Sequence, residues 1–112
     1  MDKLTVMPPH PSLKAGRHTL WNKKAVVARV QVKRLRGMCL AYNGAGGKRY
    51  DYLGPHHLSN GKVVWKGVVN CARMLNWMDV SDTARKRMGQ HLLMHYRVFD
   101  KKAPDRLMEM VK

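Results

Sequence analysis

From Val64 onward the apolar positions recur at spacings of three and four. Val64, Val68, Cys71, Leu75 and Met78 form one stripe, with Lys66, Asn70, Arg73 and Trp77 opposite, so 62–78 is predicted as an amphipathic helix. Gly67 costs about 1 kcal/mol against alanine in a helix interior, which moves the expected start toward Val68. A second helix is expected from Ser81. Ser81 has the character of an N-cap, and Asp82 suits the positive end of the helix dipole. Its apolar stripe is Ala84, Met88, Leu92, Tyr96 and Phe99, with Thr83, Lys86, Arg87, Gln90 and Arg97 on the other face. After "DKKA" a short third helix follows, with Pro104 at its first turn.

Upstream the period changes. In "AVVARVQVK", 25–33, Val26, Ala28, Val30 and Val32 alternate with Arg29, Gln31 and Lys33, the pattern of a strand with a basic outer face. "MCLAY" at 38–42 and "YDYL" at 50–53 supply two further strands around the turn "NGAGGKR" at 43–49. A helix across 23–42, capped by Asn22, is the competing reading. Residues 54–62 read as a loop, punctuated by Gly54-Pro55 and Asn60-Gly61. Pro8, Pro9 and Pro11 favour extended geometry, so 1–22 reads as a basic, proline-rich arm carrying Lys14 and Arg17, or as a frayed tail. The expected fold is α+β. The arm at 1–22 precedes a single small domain at 23–112, with an antiparallel hairpin or meander at 23–60 and helices at 61–112.

The chain has 112 residues and a net charge of +15, from 22 Lys and Arg against 7 Asp and Glu. A folded chain with that charge repels itself, and a polyanion relieves the repulsion. Between Asp2 and Asp51 there is no acidic residue, so this stretch has no internal ion-pair partner and reads as a surface for phosphate. A hydrophobic content of 45% is too high for a disordered basic tail. No CxxC pair and no long apolar run occur, which leaves no cysteine zinc finger, secretory segment or membrane span to expect. The expected location is a reducing compartment inside the cell, the cytoplasm or nucleoid, with an organelle matrix as the alternative.

The stretch "CARMLNWMDVSDTARKRM", residues 71–88, resembles the helix-turn-helix family of DNA-binding proteins. Ala72 matches the small residue of the first helix, Val80-Ser81 the entry to the second, and Thr83-Ala84-Arg85 the "T-x-R" that opens it. The resemblance implies that the second helix enters the major groove. Ser81, Thr83, Lys86, Arg87 and Gln90 are then the candidates for meeting base edges, where Arg forks onto guanine and Gln pairs with adenine. Lys33, Arg34, Arg36, Lys48, Arg49, Lys62, Lys66 and Arg73 are the candidates for phosphate contacts.

The expected function is therefore non-enzymatic nucleic-acid binding, with DNA favoured and a small transcriptional regulator as its form. The alternatives are an RNA-binding structural subunit of a ribonucleoprotein, such as an organellar ribosome, and a basic accessory subunit of a protein complex. A homodimer or a larger assembly is the expected context, and nine methionines suit an adaptable packing surface. No catalytic set is visible. The carboxylates are sparse, "HHLSN" at 56–60 lacks the further groups of a nuclease centre, and "NGAGGKR" is not a phosphate-binding P-loop. Tyr50 and Tyr52 beside Lys48 and Arg49 suggest a stacking surface for unpaired bases. His91 and His95 stand four apart, a metal-ligand spacing that needs a third ligand from His56 or His57. Packed histidines are the commoner outcome of such spacing, so neither metal nor cofactor is assigned from sequence.

Overall fold

The computed structural model describes residues 3–10, 13–16 and 19–112. Arg17 and Pro11, part of the expected arm, lie outside the described residues. The architecture is α+β, a small antiparallel sheet followed by helices. Strands β1 (Leu4–Val6), β2 (Ala41–Asn43) and β3 (Tyr52–Leu53) form the sheet in that order. Val6 faces Ala41 in the register, and Ala41 faces Leu53. Part of the stretch expected as an arm over 1–22 is strand β1. Its residues pair with the centre of the chain, Met7 N–H donates to Leu40 O at 2.8 Å, and Ala15 N–H donates to Val63 O at 2.9 Å.

The predicted strand at 25–33 is instead a helix, α1 (Lys23–Arg29), followed by a 3-10 turn over Val32–Gly37. Asn22 decides the matter locally, because its side chain accepts from Ala25 N–H at 3.1 Å and caps the first turn. Val26, Val27 and Val30 stand one and four apart and fit a helical face, while only Val26 and Val30 also fit an alternating one. They pack in a small cluster with Leu35, Met38, Cys39 and Tyr52. The competing helix across 23–42 also fails, since α1 stops at Arg29. Residues 50–53 are half strand: Arg49–Asp51 form a 3-10 turn before Tyr52–Leu53.

Helix α2 (Trp65–Leu75) buries Val68, Cys71 and Leu75, and α3 (Asp82–Val98) buries Ala84, Met88, Leu92 and Tyr96, the predicted stripes. The first helix is shorter than predicted at its C-terminal end. It stops at Leu75, so residues 76–81 make the junction instead of a three-residue turn. Ser81 caps α3, its hydroxyl accepting from Ala84 N–H at 3.1 Å. Helix α4 (Asp105–Met110) follows Pro104 and places Leu107 in the core. The main core joins α2, α3 and α4 to Leu40 and Ala41 of the sheet region. Among the described residues no helix is long and apolar enough to cross a membrane.

Gly67 and Gly54 each set a close approach. Gly67 begins no helix; it lies inside α2, where a Cβ would sit 3.0 Å from His56 Cα and 3.1 Å from Trp21 Cε2. Its missing side chain lets α2 lie against the backbone of the 56–57 segment. Gly54 has φ of +69°, and a Cβ there would meet Leu40 Cδ1 at 2.8 Å.

Candidate functional site

The base-reading candidates share an exposed face at the start of α3. Ser81, Thr83, Lys86, Arg87 and Gln90 are exposed, while Ala84 and Met88 between them are buried. The remaining cation of "TARKRM" behaves differently. Arg85 Nε donates to Leu75 O at 3.2 Å, and its NH2 group donates to Met78 O at 2.7 Å. It also pairs with Asp82 at 3.2 Å. Its guanidinium therefore adds a charged donor to carbonyls at the end of α2 that also accept from the backbone N–H groups of Met78 and Val80, a structural role that sequence reasoning missed.

The phosphate candidates fall into separate groups. Lys33, Arg34 and Arg36 are exposed on the 3-10 turn. Arg34 donates to Ser59 O at 3.4 Å, and Arg36 donates to Ala45 O at 2.7 Å while lying 4.7 Å from the Tyr42 ring centroid. Lys66 and Arg73 line a shallow cavity of about 440 Å³ with Trp21 and Trp65. Lys62 is exposed in the loop before α2, and Lys48 lies 5.5 Å from the centroid of the exposed Tyr50 ring. Arg49 donates to the carbonyls of Val27 and Val30, which closes the open end of α1. It also borders a cavity of about 560 Å³ with Lys23, Lys24 and Trp77. The expected tyrosine pair separates: Tyr50 is 74% exposed, whereas Tyr52 is buried, donates to Gly46 O at 2.7 Å and tilts against Tyr42.

A second constellation is histidine alone. His56, His57, His91 and His95 are all fully buried. The 54–62 segment is more ordered than the expected loop. Leu58 N–H donates to Lys62 O, Val64 N–H donates to His56 O, and His57 bridges to Val63. These pairs fix His56 and His57 beneath α3. His91 and His95 reach the same place because residues four apart share a helix face. Their Nε2 atoms lie 3.1 Å apart. His56 Nε2 lies 3.3 Å from that of His91 and 3.1 Å from that of His95.

Backbone carbonyls ring the cluster. His56 Nδ1 is 2.8 Å from Gly54 O, His91 Nδ1 is 2.9 Å from Met7 O, and His57 Nδ1 is 3.4 Å from Met38 O. His10 stacks on His57 with centroids 5.2 Å apart and meets His91 edge-on at 5.4 Å. Burial, reinforced by the neighbouring imidazoles, holds the rings neutral. It pushes His57 down to about 4 and His95 down to about 3, lowers His91, and keeps His56 well below its ordinary value. The spacing of His91 and His95 was legible in the sequence. His56 or His57 was the expected source of a third ligand, and the tertiary fold brings both beside His91 and His95.

Comparison with protein-family models, curated proteins and solved structures finds no match.

Proposed function

We propose that this chain is a non-enzymatic nucleic-acid-binding protein that docks on duplex DNA through the exposed face of α3. The observation that carries the reading is the outward set Thr83, Lys86, Arg87 and Gln90 on a helix whose opposite face is locked in the core. The chain carries a net +15, and the ion pairs among the described residues use only Arg85 and Lys112 of its cations. Most of the positive charge is therefore available to phosphate, and affinity should fall steeply with salt. Lys66 with Arg73, and the cations of the 3-10 turn, are assigned to phosphate contacts that set register.

A second reading, an RNA-binding subunit of a ribonucleoprotein, is favoured by the exposed aromatics. Tyr50 beside Lys48, and Trp77 (72% exposed) on the cavity bordered by Lys23, Lys24 and Arg49, offer faces on which unpaired bases stack.

Fluorescence anisotropy with random duplex DNA and folded RNA of equal length, at several salt concentrations, separates the two. Tighter duplex binding with a steep salt slope supports the α3 reading. In that case Arg87→Ala should cost about 1–3 kcal/mol on a selected site and less on others. Equal losses on every sequence would remove the base-reading role. A preference for RNA that Trp77→Ala and Tyr50→Ala abolish would move the assignment to the second reading.

A further inference from the structure

The three Nε2 atoms of His56, His91 and His95 form a triangle with edges of 3.3, 3.1 and 3.1 Å. Hydrogen bonding alone does not account for it. A carbonyl oxygen only accepts, so Nδ1 of His56 must carry the proton that meets Gly54 O, and Nδ1 of His91 the proton that meets Met7 O. In a neutral imidazole the other nitrogen is then bare. His56 Nε2 and His91 Nε2 thus face each other at 3.3 Å with two lone pairs and no proton between them. His95 has one ring proton at most to offer while neutral. It cannot serve both neighbours fully, and its own Nδ1 is buried without a hydrogen-bond partner. With the His95 proton on Nδ1, three Nε2 lone pairs meet across this triangle, and such a site is short of a cation.

The dimensions match such a cation. Tetrahedral zinc at about 2.0–2.1 Å from each nitrogen puts neighbouring ligand nitrogens about 3.3–3.4 Å apart. The observed triangle needs to widen only by tenths of an ångström. The surroundings match as well. Metal-bound histidines characteristically donate their second N–H to a carbonyl or carboxylate, which fixes the tautomer and the ring direction. Gly54 O and Met7 O already hold two of the three rings in this way. A related set, His56, His57 and His95, has ligand atoms within 4.8 Å of one another. It is looser than the Nε2 triangle, so His57 is the neighbouring imidazole that would have to move inward to fill the remaining coordination position.

We propose that His56, His91 and His95 bind one divalent transition-metal ion through Nε2, with His57 as the fourth ligand, in a closed structural centre. An all-imidazole set without carboxylate or thiolate suits zinc, copper or nickel and disfavours magnesium or calcium. Zinc, which takes a tetrahedral site without redox chemistry, is the assigned ion. All four imidazoles are fully buried, so the centre has no open face for a substrate and its role is structural. It fastens the 56–57 segment to α3, and through Met7 O it fastens β1 to the same helix.

The test uses the full chain, freed of any affinity tag and stripped with a chelator, then titrated with Zn²⁺ and separately with Co²⁺. The expected result is one metal per chain, a rise in Tm with zinc, and the intense visible bands of tetrahedral cobalt. His91→Gln should lower zinc affinity about 100-fold or more, beyond the usual effect of an outer-shell change. His95→Cys should retain the metal and add a thiolate-to-cobalt charge-transfer band, a signature that mere packing would not produce. Three outcomes would overturn the proposal: zinc leaving Tm unchanged, cobalt giving only the weak spectrum of a six-coordinate ion, or binding equal in the wild type and His91→Gln. The first two are read on the wild-type chain, so they decide the matter even if a variant does not fold.

Discussion

Arg85 Nε meets Leu75 O at 3.2 Å, so a side chain from the first turn of α3 closes the last turn of α2. The same guanidinium reaches Met78 O and Val80 O. Its fork of donors thereby holds the whole 76–81 junction. Arg85→Ala leaves these carbonyls without their charged donor and should destabilise the fold by about 1–3 kcal/mol. Arg85→Lys should recover only part of that, since an ammonium lacks the fork. Urea unfolding measures both, and an unchanged midpoint for Arg85→Ala would assign the junction to apolar packing alone.

Gly67→Ala offers opposing terms. Alanine gains about 1 kcal/mol of helix propensity. Its Cβ, however, would press on His56 Cα at 3.0 Å and on the Trp21 ring at 3.1 Å. Overpacking of this kind typically costs about 1–3 kcal/mol, and here one of the atoms is backbone. The expected net effect is destabilising, seen as a lower Tm; a higher Tm would show that α2 can move off the histidine segment freely.

The acid stability of the metal-free chain follows from the neutral imidazoles. The unfolded state takes up protons on its histidines from about pH 6.5 downward, whereas the folded state resists until near 4 for His57 and near 3 for His95. The folded pKa values lie below the unfolded ones, so their contribution is fully present above about pH 6.5. It is lost as pH falls toward those lower values. Each such histidine contributes a slope of up to about 1.4 kcal/mol per pH unit within that window. Urea midpoints between pH 7.5 and 4.5 should therefore drop steeply below about pH 6. A flat profile would mean that the imidazoles are solvated.

Both cysteines are buried, and burial pushes Cys39 up to about 12 and Cys71 higher still. Native-state alkylation at pH 8 should run at least about 100-fold slower than in denaturant, because so little thiolate is present. Mass spectrometry of iodoacetamide-treated protein reads this directly. Fast labelling of either residue would place it at the surface.

The helical half was readable because its periodicity has one solution. Val68, Cys71 and Leu75 fit a helix and no strand, and Ser81 marks the second start without a rival. Residues 25–33 had two solutions, since Val26 and Val30 satisfy both periods, and the decision fell to one capping side chain, Asn22. Leu4–Val6 was hidden among prolines because a three-residue strand carries almost no local signal and depends on its partner at 41–43. Arg85 could not be told from Lys86 and Arg87 by type. The helix face sets Arg85 apart from the exposed Lys86 and Arg87, and the position of α2's end makes it a clamp. In the histidine cluster, two members were legible by spacing and His56 or His57 as a candidate third, but that both join it follows only from the tertiary contacts.

The bond from His91 Nδ1 to Met7 O spans 84 positions of the chain. During synthesis at about 5–20 residues per second, roughly 4–17 s separate the emergence of those two positions. For that interval β1 has no helix to lie on, and Leu4 and Val6 remain uncovered. The contact between β1 and α3 thus forms only after the 84 positions between them are made. Chaperones that bind apolar segments have that interval in which to reach β1.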